Sequence, residues 1–369
     1  MLEGLDQIPW DTLEHAYGPA GDVPEQLRAL TSADAEAREE ALYALYGNIW
    51  HQGTVYAATA PAVPFLVEIA LSPAVEGRKE VLDLLYAIAH GSSYLDVHQH
   101  LSHVGDMLKA EADFDARRAQ ELADVRAAQA SVSAAHPQLL ELLERDRDPE
   151  VRRHAARLLG ACALAKELVS AELLRRQEAE PEPSVRAAML FVLGSIDIQR
   201  HGALLAQQLD ERAAIVRLAS AMAIGCFGEP PLPRAVTEVL LSHLADLDLV
   251  DYSLFPFADD AASDIAGALA KADAPERERA AALLLDHARS KRAPLLAVGT
   301  SLFALSFPTR PDQPRLQELS PLQREALELV AKAAWSRTSQ GGWSIFGNFV
   351  DLLSEYGLEA LGKEITGYR

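Results

Sequence analysis

Asp96, His100 and His103 stand at i, i+4 and i+7, so a helix would carry one carboxylate and two imidazoles on one face. That donor set suits Zn²⁺ or Fe²⁺. No cysteine joins it, no fourth ligand is evident nearby, and His98 would point elsewhere. A solvated or hydrogen-bonded helix end is the other reading of the same spacing. No Ser lies in a G-x-S-x-G turn, and no Gly-rich loop has the spacing of a phosphate cradle.

Two aromatic stretches could serve recognition. Gly47 to Tyr56 concentrates Trp50, His51 and Tyr56 in a short polar turn. Tyr252 to Asp260 sets Phe255 and Phe257 among acids. Trp and Tyr are frequent anchors of protein interfaces. Equally, the first stretch can be a tight corner between helices and the second a buried crossover. Arg153 is a further candidate contact for a partner.

The elements that must position these groups are written in a recurring phrase. It reads DPEVRRHAARLLG at 148–160, EPSVRAAMLFVLG at 182–194 and AAIVRLASAMAIG at 213–225. Val151, Val185 and Val216 are each followed by an arginine, Arg152, Arg186 and Arg217, and then by Gly160, Gly194 and Gly225. The copies lie 34 and 31 residues apart, the period of stacked helix pairs. In each copy, Val and the Leu or Ile eight residues on share one helical face, which should meet the first helix of the same pair. The glycines read as left-handed C-caps, and Asp148 or Ser184 as N-caps. Arg152, Arg186 and Arg217 read as a structural ladder to acids of neighbouring turns, with Asp148 as the turn acid.

Residues 1–93 read as degenerate repeats, with Arg38 and Arg78 near the starts of second helices. Residues 94–135 break the rhythm with a long charged helix. Arg78 to Arg152 spans 74 residues, two units of 37, so one ordinary repeat is expected to be replaced by an elongated one. Residues 136–228 carry the clear repeats, and 229–369 degenerate repeats with a capping end. First helices are expected near 137–145, 168–178 and 200–209. Later helices are expected near 234–246, 260–271, 275–290, 294–306, 320–335 and 345–355. No stretch looks like a sheet of alternating β-branched residues.

Composition narrows the partners. The net charge of −20 opposes a nucleic-acid backbone or an anionic membrane and matches a basic protein. It also serves solubility. The opening MLEGLDQIPWDTLEHAYG has no basic start or apolar run, so no signal peptide is expected. No apolar run approaches a membrane span. Two cysteines at like repeat positions, Cys162 and Cys226, suit a reduced cytoplasmic protein.

The phrase D-P-E-V-R-x-x-A-A-x-x-L-G resembles the second helix of HEAT repeats of the phycobilisome-lyase type, over roughly 136–228. Arg152, Arg186 and Arg217 match that family's recurring arginine and Asp148 its turn acid. The stretches YGNIWHQGTVYAATAPAVPFLVEIA and FGNFVDLLSEYGL are similar to bacterial HEAT-repeat proteins of uncharacterised role. The resemblance implies an all-α, right-handed solenoid of stacked antiparallel helix pairs, HEAT/armadillo-like. It also implies a scaffold holding a protein along its concave groove. A minority of such proteins are enzymes: bilin lyases, a di-iron hydroxylase and a DNA glycosylase subfamily. The hydroxylase needs paired His-Glu dipeptides, and none of the eleven histidines here precedes Glu. The glycosylase needs a basic face. A metal- or tetrapyrrole-handling enzyme of the bilin-lyase kind stays open. The leading expectation is a non-catalytic, cofactor-free binder of a basic protein, immunity-like or an assembly scaffold.

Overall fold

The computed structural model describes residues 1–99, 107–110, 113–247, 261–311, 314–339 and 341–368. Across them the chain is an all-α repeat solenoid, interrupted by three short antiparallel hairpins. It divides into two compact units, Met1–Ile196 and Asp197–Arg369.

The first unit is a stack of helix pairs. Helix α1 (Val23–Ala29) packs on α2 (Ala35–Asn48), and α3 (Thr59–Leu71) on α4 (Arg78–Ala89). Short α5 (Tyr94–His98) and long α6 (Phe114–Ala134) follow. Then α7 (His136–Arg145) pairs with α8 (Pro149–Gly160), and α9 (Lys166–Arg176) with α10 (Pro183–Ile196). The second helices stack in the order α2, α4, α8, α10. Helix α8 shows why the phrase folds as it does. Asp148 accepts the Glu150 amide at 2.9 Å, and Pro149 opens the first turn where its missing N–H costs nothing. Val151, Ala155, Leu158 and Leu159 are then buried on one side.

The inserted chain departs from the expected repeat count. Helix α4 packs directly on α8, so no additional second-layer helix separates them. Helix α6 lies against both α3 and α4. Its apolar stripe, Val125, Ala128 and Val132, is buried while the rest of the helix is charged. The 74-residue gap between Arg78 and Arg152 is therefore an enlargement of the first-helix layer, which sequence spacing alone could not distinguish from a whole unit.

The second unit repeats the pattern. Helices α11 (Ile198–Gln207) and α12 (Ala214–Phe227), α13 (Arg234–Ala245) and α14 (Ala261–Leu269), and α15 (Ala274–Ser290) and α16 (Leu295–Ser306) pack as pairs. Helices α12, α14 and α16 stack in turn. The end is closed by α17 (Pro321–Ala334), α18 (Gly347–Glu355) and α19 (Glu359–Thr366) around Phe303, Leu327, Trp335 and Leu353. Helix α19 was not foreseen.

The repeat glycines are not C-caps. Gly160, Gly194 and Gly225 all lie within helices, and none has positive φ. A Cβ on Gly160 would stand 3.0 Å from Val192 of the next second helix, and one on Gly225 would stand 2.8 Å from Ala268 Cβ. These glycines set how closely successive second helices approach. Ser184 is likewise inside α10 rather than ahead of it. Its hydroxyl reaches Glu182, whose carbonyl accepts the Arg186 amide.

The packing yields a paired expectation. Gly225→Ala forces a methyl into that 2.8 Å approach and should cost about 1–3 kcal/mol. Gly202→Ala, in α11 with open space around its Cα, should gain about 0.5–1 kcal/mol. Urea midpoints of the two variants decide it; similar small shifts for both would show that helix approach does not set the glycine position.

Candidate protein-binding face

The turns before the second helices are held by arginines that donate in two directions. Arg152, four residues after Asp148, gives Nη1 to the Asp146 carbonyl at 3.0 Å and Nη2 to Glu180 Oε1 at 2.8 Å. Arg38, four residues after the cap Asp34, does the same with the Ser32 carbonyl at 2.8 Å and Glu76 at 2.7 Å. Each guanidinium thus closes its own turn and grips a carboxylate of the next repeat. Arg78, at the first position of α4, grips Asp146 of the following repeat with both terminal nitrogens. Arg217 closes its own turn on the carbonyls of Glu211 and Arg212 at 2.6 and 2.9 Å. Arg186 holds the corresponding place in α10 and is half-buried. Two arginines outside the second helices close their own turns in the same way and escaped the sequence reading: Arg277 on α15 and Arg324 on α17, each four residues after a cap (Asp273, Ser320), donate to the Ala272 carbonyl and to the Leu316 and Leu319 carbonyls. The signal was present: an arginine four residues after a helix start, with or without the Val and Gly.

A polar cluster forms where α2, α4 and α8 lie side by side. Asp83 accepts from Arg157 Nη1 at 2.9 Å and faces His154 Nε2 at 3.4 Å. His154 Nδ1 donates to the Glu150 carbonyl at 2.7 Å. The Arg157 guanidinium lies 3.7 Å above the Tyr86 ring. Burial, and then the charge of Asp83, push the Tyr46 phenol up from its ordinary value. Three successive repeats thus supply a preorganised Arg, two Tyr and an Asp to one patch, the residue types that carry binding energy when a partner desolvates them.

The aromatic stretch 47–56 is an inter-helix corner. Strands β3 (Trp50–His51) and β4 (Thr54–Val55) pair through Gln52 and Gly53, both at positive φ, the geometry of a two-residue hairpin turn. Trp50 Nε1 donates to the Ala87 carbonyl at 3.1 Å, and its ring meets Tyr46 edge-on at 5.6 Å. Tyr56 pairs with Thr54 through their hydroxyls at 2.7 Å. Burial pushes its phenol up. His51 meets Tyr17 edge-on, next to the earlier hairpin β1 (Glu14–His15) and β2 (Gly18–Pro19). Trp50, His51 and Tyr56 are all half-buried, and the corner binds neighbouring elements of the scaffold together.

Arg153 does not lie on an open face. Its side chain is 4% exposed and Nη2 donates to Glu150, one turn earlier on its own helix, because the position faces inward between stacked helices. Asp96 is taken by Arg118 and by Gln99 at 2.8 Å. His100, His103, Phe255 and Phe257 lie outside the described residues. Among the described residues, no group of three or more His, Cys, Asp or Glu could hold a metal ion. Cys162 and Cys226 are free thiols, pushed up to about 12 and about 11 by burial, with Asp264 adding to the second.

Charge is unevenly placed. Residues 1–93 carry four Lys and Arg against fourteen Asp and Glu, half of the chain's net −20. All four cations there sit near carboxylates: Arg28 on Asp6, Arg38 on Glu76, Arg78 on Asp146, and Lys79 between Glu80 and Glu150. Helix α2 presents Glu36, Glu39, Glu40 and Tyr43 to solvent, and Tyr17 stands exposed over Gly47 of the same helix.

Residues 136–225 match the family model of HEAT repeats, the stretch that carries the three clear phrases. The crystal structure of an engineered protein is similar over 94% of this chain and 93% of that one, at 18% identity and a TM-score of 0.28. No curated protein matches in sequence. HEAT repeats generally mediate contacts between proteins. Among the described residues, no helix is long and apolar enough to cross a membrane.

Asp146 gives the ladder a pH signature. Burial raises its carboxyl, but the Arg78 guanidinium, the Asp148 amide and the charge of Arg152 outweigh burial and hold it below its ordinary value. A carboxyl depressed in the folded state adds stability above its unfolded value of about 3.9, and that stability is lost as pH falls through the folded value. Asp146→Asn should therefore be less stable than the parent at pH 7, and the gap should shrink as pH drops below about 4. Denaturant titrations across that range check it; a gap independent of pH would show that the carboxylate charge is not what the ladder uses.

Proposed function

We propose that this protein is a non-catalytic binding scaffold that holds a basic protein partner on its N-terminal unit. The observation that carries the reading is the charge of residues 1–93. Its few cations are engaged in ion pairs, while acids and two tyrosines remain exposed on and beside α2. Acidic surface steers a cationic partner in, and exposed tyrosines supply contact area and cation–π faces for Lys and Arg. A cytoplasmic assembly scaffold and an immunity-like neutraliser of a basic toxin are the concrete forms this reading takes. No cofactor is required by it.

Affinity capture from the source organism at low salt should recover a Lys- and Arg-rich protein. Raising the salt to about 0.5 M should release most of it, since screening then acts within a few ångströms. The triple variant Glu36→Lys, Glu39→Lys, Glu40→Lys should lower recovery by about tenfold or more, these residues being exposed and remote from the core. Recovery of no protein, or recovery indifferent to charge reversal, would contradict the proposal.

A further inference from the structure

Between the N-terminal parts of α2 and α4 lies a cleft of about 370 Å³. Leu42 and Val81 line it with apolar surface, and Arg38, Glu39, Glu76 and Glu80 line it with charge. Arg38 is already engaged, with Nη1 on the Ser32 carbonyl at 2.8 Å and Nη2 on Glu76 Oε2 at 2.7 Å. Three carboxylates therefore share the cleft with one occupied cation. Glu80 stands out among them. Its Oε1 lies 3.8 Å from Lys79 Nζ, which stands outside the cleft and is shared with Glu150. Its Oε2 is shielded from water and accepts no hydrogen bond. That oxygen lies beside Gly77, 3.8 Å from where a Cβ would stand, and Gly77 itself lines the cleft. A carboxylate oxygen held away from water with no donor is costly until something supplies one.

We propose that this cleft receives a lysine side chain of the partner protein and that Glu80 takes its ammonium group. The proposal rests on the protein-binding reading above and adds the chemistry and the place of one contact. An entering cation supplies the donor that Glu80 Oε2 lacks. Glu39 and Glu76 add negative charge at the same cleft, against Arg38 alone. The apolar surface of Leu42 and Val81 suits a lysine stem, which buries its methylenes while its head stays with polar groups. Lysine fits this site better than arginine. A guanidinium fork calls for both oxygens of a carboxylate, and the Oε1 side of Glu80 is already shared with Lys79; an ammonium is a point charge that one oxygen can hold. A free amino acid would bring its own carboxylate against Glu39 and Glu76, whereas a lysine within a chain does not. One residue further round α2, exposed Glu36, Glu40 and Tyr43 continue the acidic surface beside the cleft, where other basic residues of the same partner find counterparts.

The test uses the full chain and two dye-labelled oligomers of equal length, oligolysine and oligo-ornithine. They carry the same charge, and ornithine is one methylene shorter. Fluorescence anisotropy at low salt should show oligolysine binding about fourfold more tightly, the worth of one buried methylene. Glu80→Gln should weaken oligolysine about tenfold, the loss of one charge-assisted hydrogen bond. Glu25→Gln, which removes the same charge from an exposed position on α1 outside the cleft, should weaken it less than twofold. Ala35→Trp, at an exposed position on the cleft lining, should abolish the preference for lysine over ornithine, and it stands as a separate test should Glu80→Gln disturb folding. Equal binding of the two oligomers, or equal effects of Glu80→Gln and Glu25→Gln, would overturn the proposal by showing diffuse acidity alone. A basic protein captured equally by the parent, Glu80→Gln and Ala35→Trp would overturn it too, while leaving the scaffold reading in place. If the oligomers behave as expected and the parent captures no protein, the scaffold reading fails and the lysine site stands.

Discussion

In the first unit, stacking of one helix pair on the next uses guanidinium groups near the starts of second helices, the fourth residue after the cap for Arg38 and Arg152 and the first helical residue for Arg78. Four residues after the cap, the side chains of Arg38 and Arg152 curl back over the helix N-terminus, where carbonyls of the preceding turn need a donor and no helical amide can supply one. One terminal nitrogen satisfies the turn and the other is free to cross to the next repeat. Arg38 and Arg152 use both directions. Lysine, a point charge without a planar fork, could not hold a carbonyl and a carboxylate in two fixed directions. Both groups of the Arg152–Glu180 pair are shielded, with side-chain exposures of 13% and 8%, so removing one partner leaves a desolvated charge behind. That makes the pair a statement about which repeat sits next to which.

Close approach of the second helices is the complementary constraint. Gly160 and Gly225 permit contact with Val192 and Ala268 that even a methyl group would obstruct. Buried Ala155, Ala188 and Ala219 work in the same layer. The first-helix layer is under no such constraint, and it is there that the chain accepts the additional helix Phe114–Ala134 without breaking contact between Arg78–Ala89 and Pro149–Gly160. The Asp83–Arg157–Tyr86 patch follows from this division, because it is built across successive second helices.

Much of this was legible in the residues. The Val-Arg phrase located three second helices, and the proline and acid signals placed most of their partners within two or three residues. What was not legible has physical causes. A glycine near a helix end reads the same whether it caps the helix or lets a neighbour in, because the difference lies in Val192 and Ala268, far away in the chain. A 74-residue gap holds two repeats or one swollen repeat with equal ease. Arg153 sits next to Arg152 in sequence, but a helix turns about 100° per residue, and that rotation carries it from the turn edge into the stacked layer. Trp50 and Tyr56 could be read either as recognition residues or as a corner between helices, and they form a hairpin corner whose polar groups face carbonyls and hydroxyls of the scaffold. The acidity of residues 1–93 was there to be counted, but only the ion pairs show that its cations are already engaged.

A double-mutant cycle between Arg152 and Glu180 tests the central claim most directly. Urea unfolding of Arg152→Met, Glu180→Gln and the double variant gives the coupling between the two groups. The account predicts a coupling of about 1–3 kcal/mol, with each single variant destabilised and the double variant recovering much of the loss. Strictly additive losses would contradict it, because stacking would then owe nothing to the bridge between repeats.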